Sequence, residues 1–311
     1  MSNGSRHAMH IIEEVTYGVT PSNPTMAAIR HKSTSLSLKK DMIQSEEIRS
    51  DRMISDARHG NYKVGGDIAV ELSYGTFDAI LEGLLCGEWA LQTPSSGTDR
   101  LKAGTTRLSY SILRFFGDLA AGSPYHLFKG CEFSKGSLTI KPNAMVEMSL
   151  TIMGQDMTIS GSAPSGSTLS APSTTSPFDS FTGTISEAGS AIAVVTELAL
   201  EIDNGHAERF IVGDQQGLRP SIGRSNVKGT VTAYFENTTL LSKFINETES
   251  SLSFNLVDLS GNRYTFNLPR IKYTGGEPDV KDEGPITLAM PFQALFDSSS
   301  ATDLYIDRND A

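Results

Sequence analysis

Residues 64–85 read VGGDIAVELSYGTFDAILEGLL, and the period of their apolar residues changes midway. Ile68, Val70 and Leu72 alternate with Ala69, Glu71 and Ser73, the pattern of a half-buried strand. Phe77, Ile80, Leu81 and Leu84 then fall at i, i+3, i+4 and i+7, which puts four apolar side chains on one helix face. Thr76 is placed to cap that helix, Asp78 sits favourably in its first turn, and Gly87 is placed to close its end. The unit is a strand, a tight turn and a short amphipathic helix.

The unit recurs at residues 227–245, VKGTVTAYFENTTLLSKFI. Gly66 maps to Gly229, a shift of 163, and carries Phe77 and Leu81 onto Leu240 and Phe244. Further matches keep the same order. Leu108–Leu113 resembles Leu252–Val257 at a shift of 144; Phe128, Phe133, Met148, Leu150 and Ile152 match Phe266, Ile271, Ile286, Leu288 and Met290 at 138; Leu36–Leu38 pairs with Leu198–Leu200 at 162. Each match alone is weak, because apolar alternation is common. Their shared order argues for an internal duplication.

At 311 residues the chain has length for about two domains, each able to bury a core. No apolar run approaches the roughly 20 residues that span a bilayer, and MSNGSRHAMH lacks the apolar core of a signal peptide. Cys86 and Cys131 lie in unlike contexts without metal spacing and read as small buried hydrophobes in a reducing cytoplasm. Asp and Glu number 36 against 26 Lys and Arg, a net charge of −10. Such a surface repels nucleic acid mildly rather than binding it.

In order, the chain reads as an N-terminal arm (1–30), a first domain (31–160), a Ser/Thr/Pro-rich linker (161–177), a second domain (178–296) and a polar, acidic C-terminal arm (297–311). Strand patterns fall at Ser33–Leu38, Thr106–Phe116, Tyr125–Phe133, Gly136–Ile140 and Met145–Met153, then at Phe178–Ile185, Ala193–Asp203 and Ile286–Met290. Trp89, the only tryptophan, is placed to cover the helix end. Two long polar segments stand out. Residues 39–63 mix signs at Glu46, Glu47, Arg49, Asp51, Arg52, Asp56 and Arg58; residues 204–226 do so at Arg209, Asp214, Arg219 and Arg224. Loops of this length are functional or disordered, and the functional reading is docking onto a neighbouring subunit.

No catalytic constellation is present. There is no G-x-S-x-G elbow and no phosphate-cradling loop, and the six histidines are scattered without H-x-x-x-H spacing. Glu46-Glu47 point apart on an extended segment and read as a solvated face. Basic residues interleaved with aromatics, as bound nucleic acid requires, are missing. These features describe a building block, neither an enzyme nor a cofactor or metal protein.

Three stretches carry a resemblance: EEVTYGVTPSNP (13–24), IQSEEIRSDR (43–52) and GGDIAVELSYGTFD (65–78). They resemble the tail tube, or major tail, proteins of siphovirus-type bacteriophages, and more distantly the tube proteins of type VI secretion. The first half matches well and the second as a degenerate repeat. The resemblance implies a mainly β fold: two tandem domains, each a sandwich or barrel of antiparallel strands with one flanking helix. It implies rings stacked into a tube whose lumen passes genomic DNA without specific binding. The implied partners are further copies of the chain and the tape-measure, tail terminator and distal tail proteins. The implied location is the virion tail, assembled in host cytoplasm, with no membrane partner. Two copies per chain favour a homotrimer with pseudo-sixfold symmetry over a homohexamer. A flexible segment of 18 residues (160–177) spans roughly 23 Å, enough to join neighbouring ring positions. The competing class is a monomeric β-sandwich that decorates a virion or binds carbohydrate or protein.

Overall fold

The change of period at residues 64–85 is realised as a strand, Ala57–Glu71, that turns into a helix, Asp78–Leu85. The structure is a computed structural model and describes residues 3–311 apart from 120, 121, 181, 182, 193, 281 and 282. In chain order the first strands are β1 (His7–Glu14), β2 (Thr25–Ile29), β3 (Ser33–Thr34), β4 (Ser37–Gln44) and β5 (Ala57–Glu71). After α1 (Asp78–Leu85) come β6 (Trp89–Ala90), β7 (Asp99–Lys102), β8 (Ser109–Phe116), β9 (Tyr125–Ile140), β10 (Glu147–Gly154), β11 (Asp156–Ser160) and β12 (Thr168–Leu169). The chain continues through β13 (Thr184–Glu187), β14 (Ser190–Ala191), β15 (Val195–Asp203), β16 (Ala207–Arg209), β17 (Leu218–Ser221) and β18 (Asn226–Tyr234). It ends with α2 (Thr239–Ile245), β19 (Ser250–Val257), β20 (Arg263–Tyr273), β21 (Glu277–Asp279), β22 (Thr287–Ala294) and β23 (Tyr305–Asn309). The fold is mainly β, a sandwich of open sheets with flanking helices.

One sheet runs through both halves in the order β4–β5–β10–β9–β15–β18–β22–β21, every pairing antiparallel. β3 extends β4 along the same edge of β5. Two shorter layers cover its inner face. The first is β2–β1–β8–β9–β11; the second is β13–β19–β20–β23–β7. β9 serves two layers because it bends: its first half pairs with β8 and β11, its second half with β10 and β15. Bulges at residues 129–130 and at Ser134 make the bend.

The pairing pattern itself repeats. Adding 140 to both members of Tyr110↔Cys131 and Ile112↔Phe128 gives Ser250↔Ile271 and Leu252↔Leu268, with a bulge between the pairs in each case. The same shift turns Ser149↔Ser137 into Ala289↔Glu277. β5 maps to β18 at 163, since Glu147↔Glu71 becomes Thr287↔Tyr234; β3 and β4 map to β15 at 164, since Ser33↔Ala69 becomes Glu197↔Thr232. The shift of 163 is the one read from the sequence. The sequence shifts of 144, 138 and 162 are each wrong by two or four residues. An even error keeps every side chain on its proper face, so alternation alone cannot detect it.

The core lies between the long sheet and its covers. Ile68, Val70, Leu150 and Ile152 meet Met9, Ile112 and Phe128 in the first half; Leu198, Val231, Met290 and Phe292 meet Phe254 and Phe266 in the second. Phe77, Ile80, Leu81 and Leu84 of the α1 region are buried as read, whereas α2 buries no residue fully and leaves Leu240, Leu241 and Phe244 half-buried. Trp89 does lie over α1: its backbone N–H donates to Glu82 Oε1 (2.9 Å) and its Nε1–H to Asp78 O (3.4 Å).

Several expectations need correction. Thr76 does not cap α1; Phe77 holds the cap position without a side-chain bond, and Cys86, not Gly87, turns left-handed at φ 49°. Gly87 is needed for space, because a Cβ there would lie 2.2 Å from Lys102 O. The segment read as an N-terminal arm (1–30) is no free arm from residue 7 onward, since β1 pairs along its length with β8. The 297–311 tail supplies β23, paired to β20 and β7. The segment 39–63 is largely the β4–β5 hairpin, and 204–226 carries the β16–β17 hairpin. Within 160–177, β12 lies parallel to β2, so this segment is docked rather than flexible. Tyr125–Phe133 and Gly136–Ile140 form one strand. Alternation marks a strand with one buried face; β4 buries neither face and β1 buries consecutive residues from Met9 to Ile11, so neither shows it. The strand expectations at Phe178–Ile185 and from Ala193 include residues outside the described ones.

Gly66 and Gly229 occupy equivalent positions for one reason. A Cβ on Gly66 would meet the Ser35 backbone at 2.6 Å, and one on Gly229 would meet Ala199 O at 2.4 Å; Ser35 and Ala199 differ by the shift of 164. Gly66 also has φ +150°. Gly229→Ala is expected to cost about 1–3 kcal/mol of overpacking, and Gly66→Ala more because backbone strain adds to it. Urea unfolding of both variants checks this; losses below about 0.5 kcal/mol would contradict the contact.

Candidate assembly surfaces

Three surfaces of the molecule offer contact to something else. The first is the outer face of the long sheet. Period two sends Asp67, Glu71, Glu147, Glu197, Glu201 and Asp203 outward with serines and threonines between them. Three lysines on this face are held by acids, Lys135 by Asp203 (2.6 Å), Lys141 by Glu197 (3.2 Å) and Lys228 by Glu201 (3.4 Å), while Lys39 stands opposite Lys63 at its β4–β5 end. The face is hydrophilic, and its anions outnumber those lysines.

The second surface is a pair of edges. Among the described residues β3 and β4 pair only with β5, and β21 pairs only with β22. Both ends of the long sheet therefore show unpaired backbone groups, which template further pairing unless blocked or used.

The third surface is the β4–β5 hairpin. Residues 41–59 are all exposed. Glu46, Glu47, Arg49, Asp51, Arg52, Asp56 and Arg58 cluster there, as the sequence indicated; Arg49 pairs with Asp51 (2.7 Å) and Arg58 with Asp56 (3.1 Å). Exposed pairs of this kind contribute only about 0–1 kcal/mol. Sequence reasoning missed the apolar component. Met42, Ile43, Ile48, Met53 and Ile54 are each more than 60% exposed, and Ile48 completely so. Their lack of periodicity inside a charged segment was the available signal. A large exposed apolar patch marks an interaction site.

The second sign-mixed segment meets the base of this hairpin. Tyr62 N–H donates to Gln215 O (2.9 Å), Gln215 Nε2 donates to His59 O (3.0 Å), and Lys63 pairs with Glu208 (2.8 Å). Exposed Ile211 and Val212 lie in the same segment, with Arg209, Asp214 and Arg224 also exposed. Arg219 differs. It turns inward, donating to the buried Glu132 carboxylate (2.6 Å), which also takes bonds from Arg107 and from His206 (3.0 Å). Burial works against that carboxylate, but the three donors outweigh it and hold its pKa below the ordinary range. Arg219 thus fixes the second segment to the first half.

A further cluster was invisible in the sequence because its members are far apart. His7 donates from Nδ1 to His31 Nε2 (2.8 Å), since Arg114 Nε–H donates to His7 Nε2 (3.0 Å) and so fixes the tautomer. His126 packs at a tilt against Phe116 nearby (ring centroids 4.8 Å apart), and these five residues line a cavity of about 550 Å³ with Lys32. Burial first, then the charge of Arg114, lowers the His7 pKa to about 4; burial likewise lowers those of His31, His126 and Arg114. Among the described residues no three His, Cys, Asp or Glu side chains could hold a metal ion.

The family model described as phage tail tube protein matches residues 4–294. No curated protein matches the chain.

The His7 site gives a pH dependence with a definite sign. Unfolded, His7 takes its proton near pH 6.5; folded, it waits until about pH 4, so the unfolded chain binds more protons in between. The stability it contributes is complete above pH 6.5 and is lost as pH falls towards 4. In His7→Gln the decline of melting temperature over this window is expected to be shallower; an unchanged slope would exclude His7 as a source. Glu132→Gln is expected to cost about 3 kcal/mol in urea unfolding, by leaving two guanidinium groups without their counter-charge.

Proposed function

The chain belongs to the phage tail tube protein family, and on that footing we propose that three copies close into a ring and that rings stack into the tail tube. Membership makes it a structural component of the virion tail. The observation that carries the finer reading is the long sheet: eight strands, four from each half, with both edges open. Three such sheets make a wall of 24 strands. At about 4.8 Å per strand the wall measures roughly 115 Å around and about 37 Å across before tilt widens it.

In this reading the outer acidic face lines the lumen. Its repulsion of phosphate decays within about 8 Å at physiological salt, which prevents adhesion without closing the passage. Genomic DNA then crosses into the host without binding, and the chain itself catalyses nothing. The domains of the proposal are residues 31–160 and 178–296, joined within one ring. Their internal joint is the β9–β15 ladder, so the span of the 160–177 segment no longer limits the arrangement. The apolar hairpin tips are assigned to contact between rings or subunits, and tape-measure, terminator and distal tail proteins to the tube's interior and ends. The tail is of the siphovirus type, assembled in host cytoplasm.

Cryo-electron microscopy of polymerised protein tests the ring. Three chains per ring are expected, each placing both halves around the lumen; six chains with one half outside the wall, or a protein that stays monomeric as a decoration module would, refute it. Ile48→Asp with Met53→Asp is expected to change folding stability by no more than about 0.5 kcal/mol, because both side chains are exposed, yet to block tube growth. Tubes of normal length from that variant would remove the hairpin from the assembly.

A further inference from the structure

The β9–β15 ladder is a joint between equivalent halves, and the open edges are the same two edges one step further along the repeat. Resting on the ring reading above, we infer that β21 of one copy pairs with β3–β4 of the next, in a register and with a charge order fixed by this chain.

The register follows from the shifts. β15 pairs with β9 as Leu198↔Ile140, Leu200↔Leu138, Glu201↔Ser137 and Asp203↔Lys135. Subtracting 164 on one side and adding 140 on the other gives Thr34↔Val280, Leu36↔Pro278, Ser37↔Glu277 and Lys39↔Gly275. Shape carries over. Ile202 faces Gly136 inside the chain, and Leu38 would face Gly276 between chains. Val280, 68% exposed in the single copy, gains a neighbour.

The backbone agrees. Ser35 N–H points inward to Asp67 O (2.9 Å), so the N–H and C=O of Leu36 point to the open edge, where in the single copy the N–H rests on Thr34 Oγ1 (3.2 Å) and must turn from it to pair. Its partner would be Pro278, which has no N–H to give. The Leu36 carbonyl does not need one, because Arg114 Nη1 already donates to it (2.5 Å). A proline that would spoil most ladders is harmless opposite this carbonyl, and it discourages other strands from docking.

Charge supplies the selectivity. In the internal joint the cations are on β9 and the anions on β15. In the open joint the order is reversed, with Glu277 on β21 and Lys39 on β4, diagonal neighbours within reach of each other. Wrong joints therefore set like charges face to face. β21 against a foreign β15 places Glu277 opposite Glu201, and β9 against a foreign β4 places Lys135 opposite Lys39. The inversion lets halves alternate around the ring and penalises swapped pairings.

The Ser37↔Glu277 pair lies between hydrogen-bonded positions, where Cα atoms approach to about 4.5 Å, within disulfide reach. In the S37C/E277C variant, mild oxidation of assembled protein is expected to yield covalent dimers and trimers on non-reducing gels, with little from S33C/E277C, four residues out of register. K39E and E277K are each expected to lose assembly, and K39E/E277K to regain it, while circular dichroism melts stay those of the parent. Rings without the S37C/E277C crosslink, or with equal crosslinking out of register, overturn the register but leave the ring. A double variant as defective as the singles overturns the charge order. A parent protein that forms no assembly overturns ring and joint together.

Discussion

Everything in this molecule depends on how β9 satisfies its backbone. A strand of 16 residues inside a sandwich has two edges along its whole length, and each buried N–H and C=O must find a partner. β8 and β11 take the first half, β10 and β15 the second, and the bulges at residues 129–130 and Ser134 make the exchange of layers possible. Glu14 supports the first bulge from below. Buried, it accepts from Gly130 N–H (2.9 Å), Gly18 N–H (2.8 Å) and the hydroxyls of Ser109 (2.9 Å) and Ser111 (2.7 Å). One carboxylate thus ties the β1–β2 turn to the bend in β9, which gives a physical role to the 13–24 stretch that first carried the family resemblance.

The β9–β15 ladder also explains why the halves are not beads on a string. Besides sharing a sheet, they exchange β7 and β23, where Arg100 and Asp307 pair at 2.6 Å and Arg308 binds Asp99 at 2.8 Å. Asp78, at the start of α1 in the first half, takes bonds from Tyr264 and Arg308 in the second. Helix-terminal charge and inter-half contact are therefore one interaction. The Asp78 carboxylate suits the positive end of α1, and that same placement aims it at the other half.

What the sequence disclosed follows from what each residue reports. Ile68, Val70 and Leu72 alternate because one face of β5 is core, and Phe77 to Leu84 keep helical spacing because one face of α1 is core. Both patterns are local and were legible. β4 has no buried face beyond its start, so Lys39 to Gln44 read as loop although they form half a hairpin. The β1 run HAMHIIEE was obscured by polar residues whose partners lie far away: His7 by Arg114 and Glu14 by Ser109 and Ser111. Of the predicted interface residues, Arg219 looked no different from Arg209 in sequence, yet only Arg219 has a buried carboxylate to bind. Long-range pairing of polar groups leaves no periodicity.

A duplicated chain faces a problem that a single-domain subunit does not. Six identical domains need only one kind of joint, and any edge fits any other. In the proposed ring the two halves are covalently joined, so half the joints would form within a chain at an effective concentration near the millimolar range, whereas the rest would have to find a partner in solution. Identical edges would then allow a second half to pair with the wrong neighbour and leave chains interlocked. In the proposed ring, divergence of the halves would solve this. Lys135 and Asp203 at the internal joint have Gly275 and Lys39 as their counterparts at the proposed open one, so these differences between the repeats would tell the two joints apart. The buried positions Leu36 and Leu200, or Gly66 and Gly229, changed little because sheet geometry restricts them, whereas the charges beside the edges were free to change.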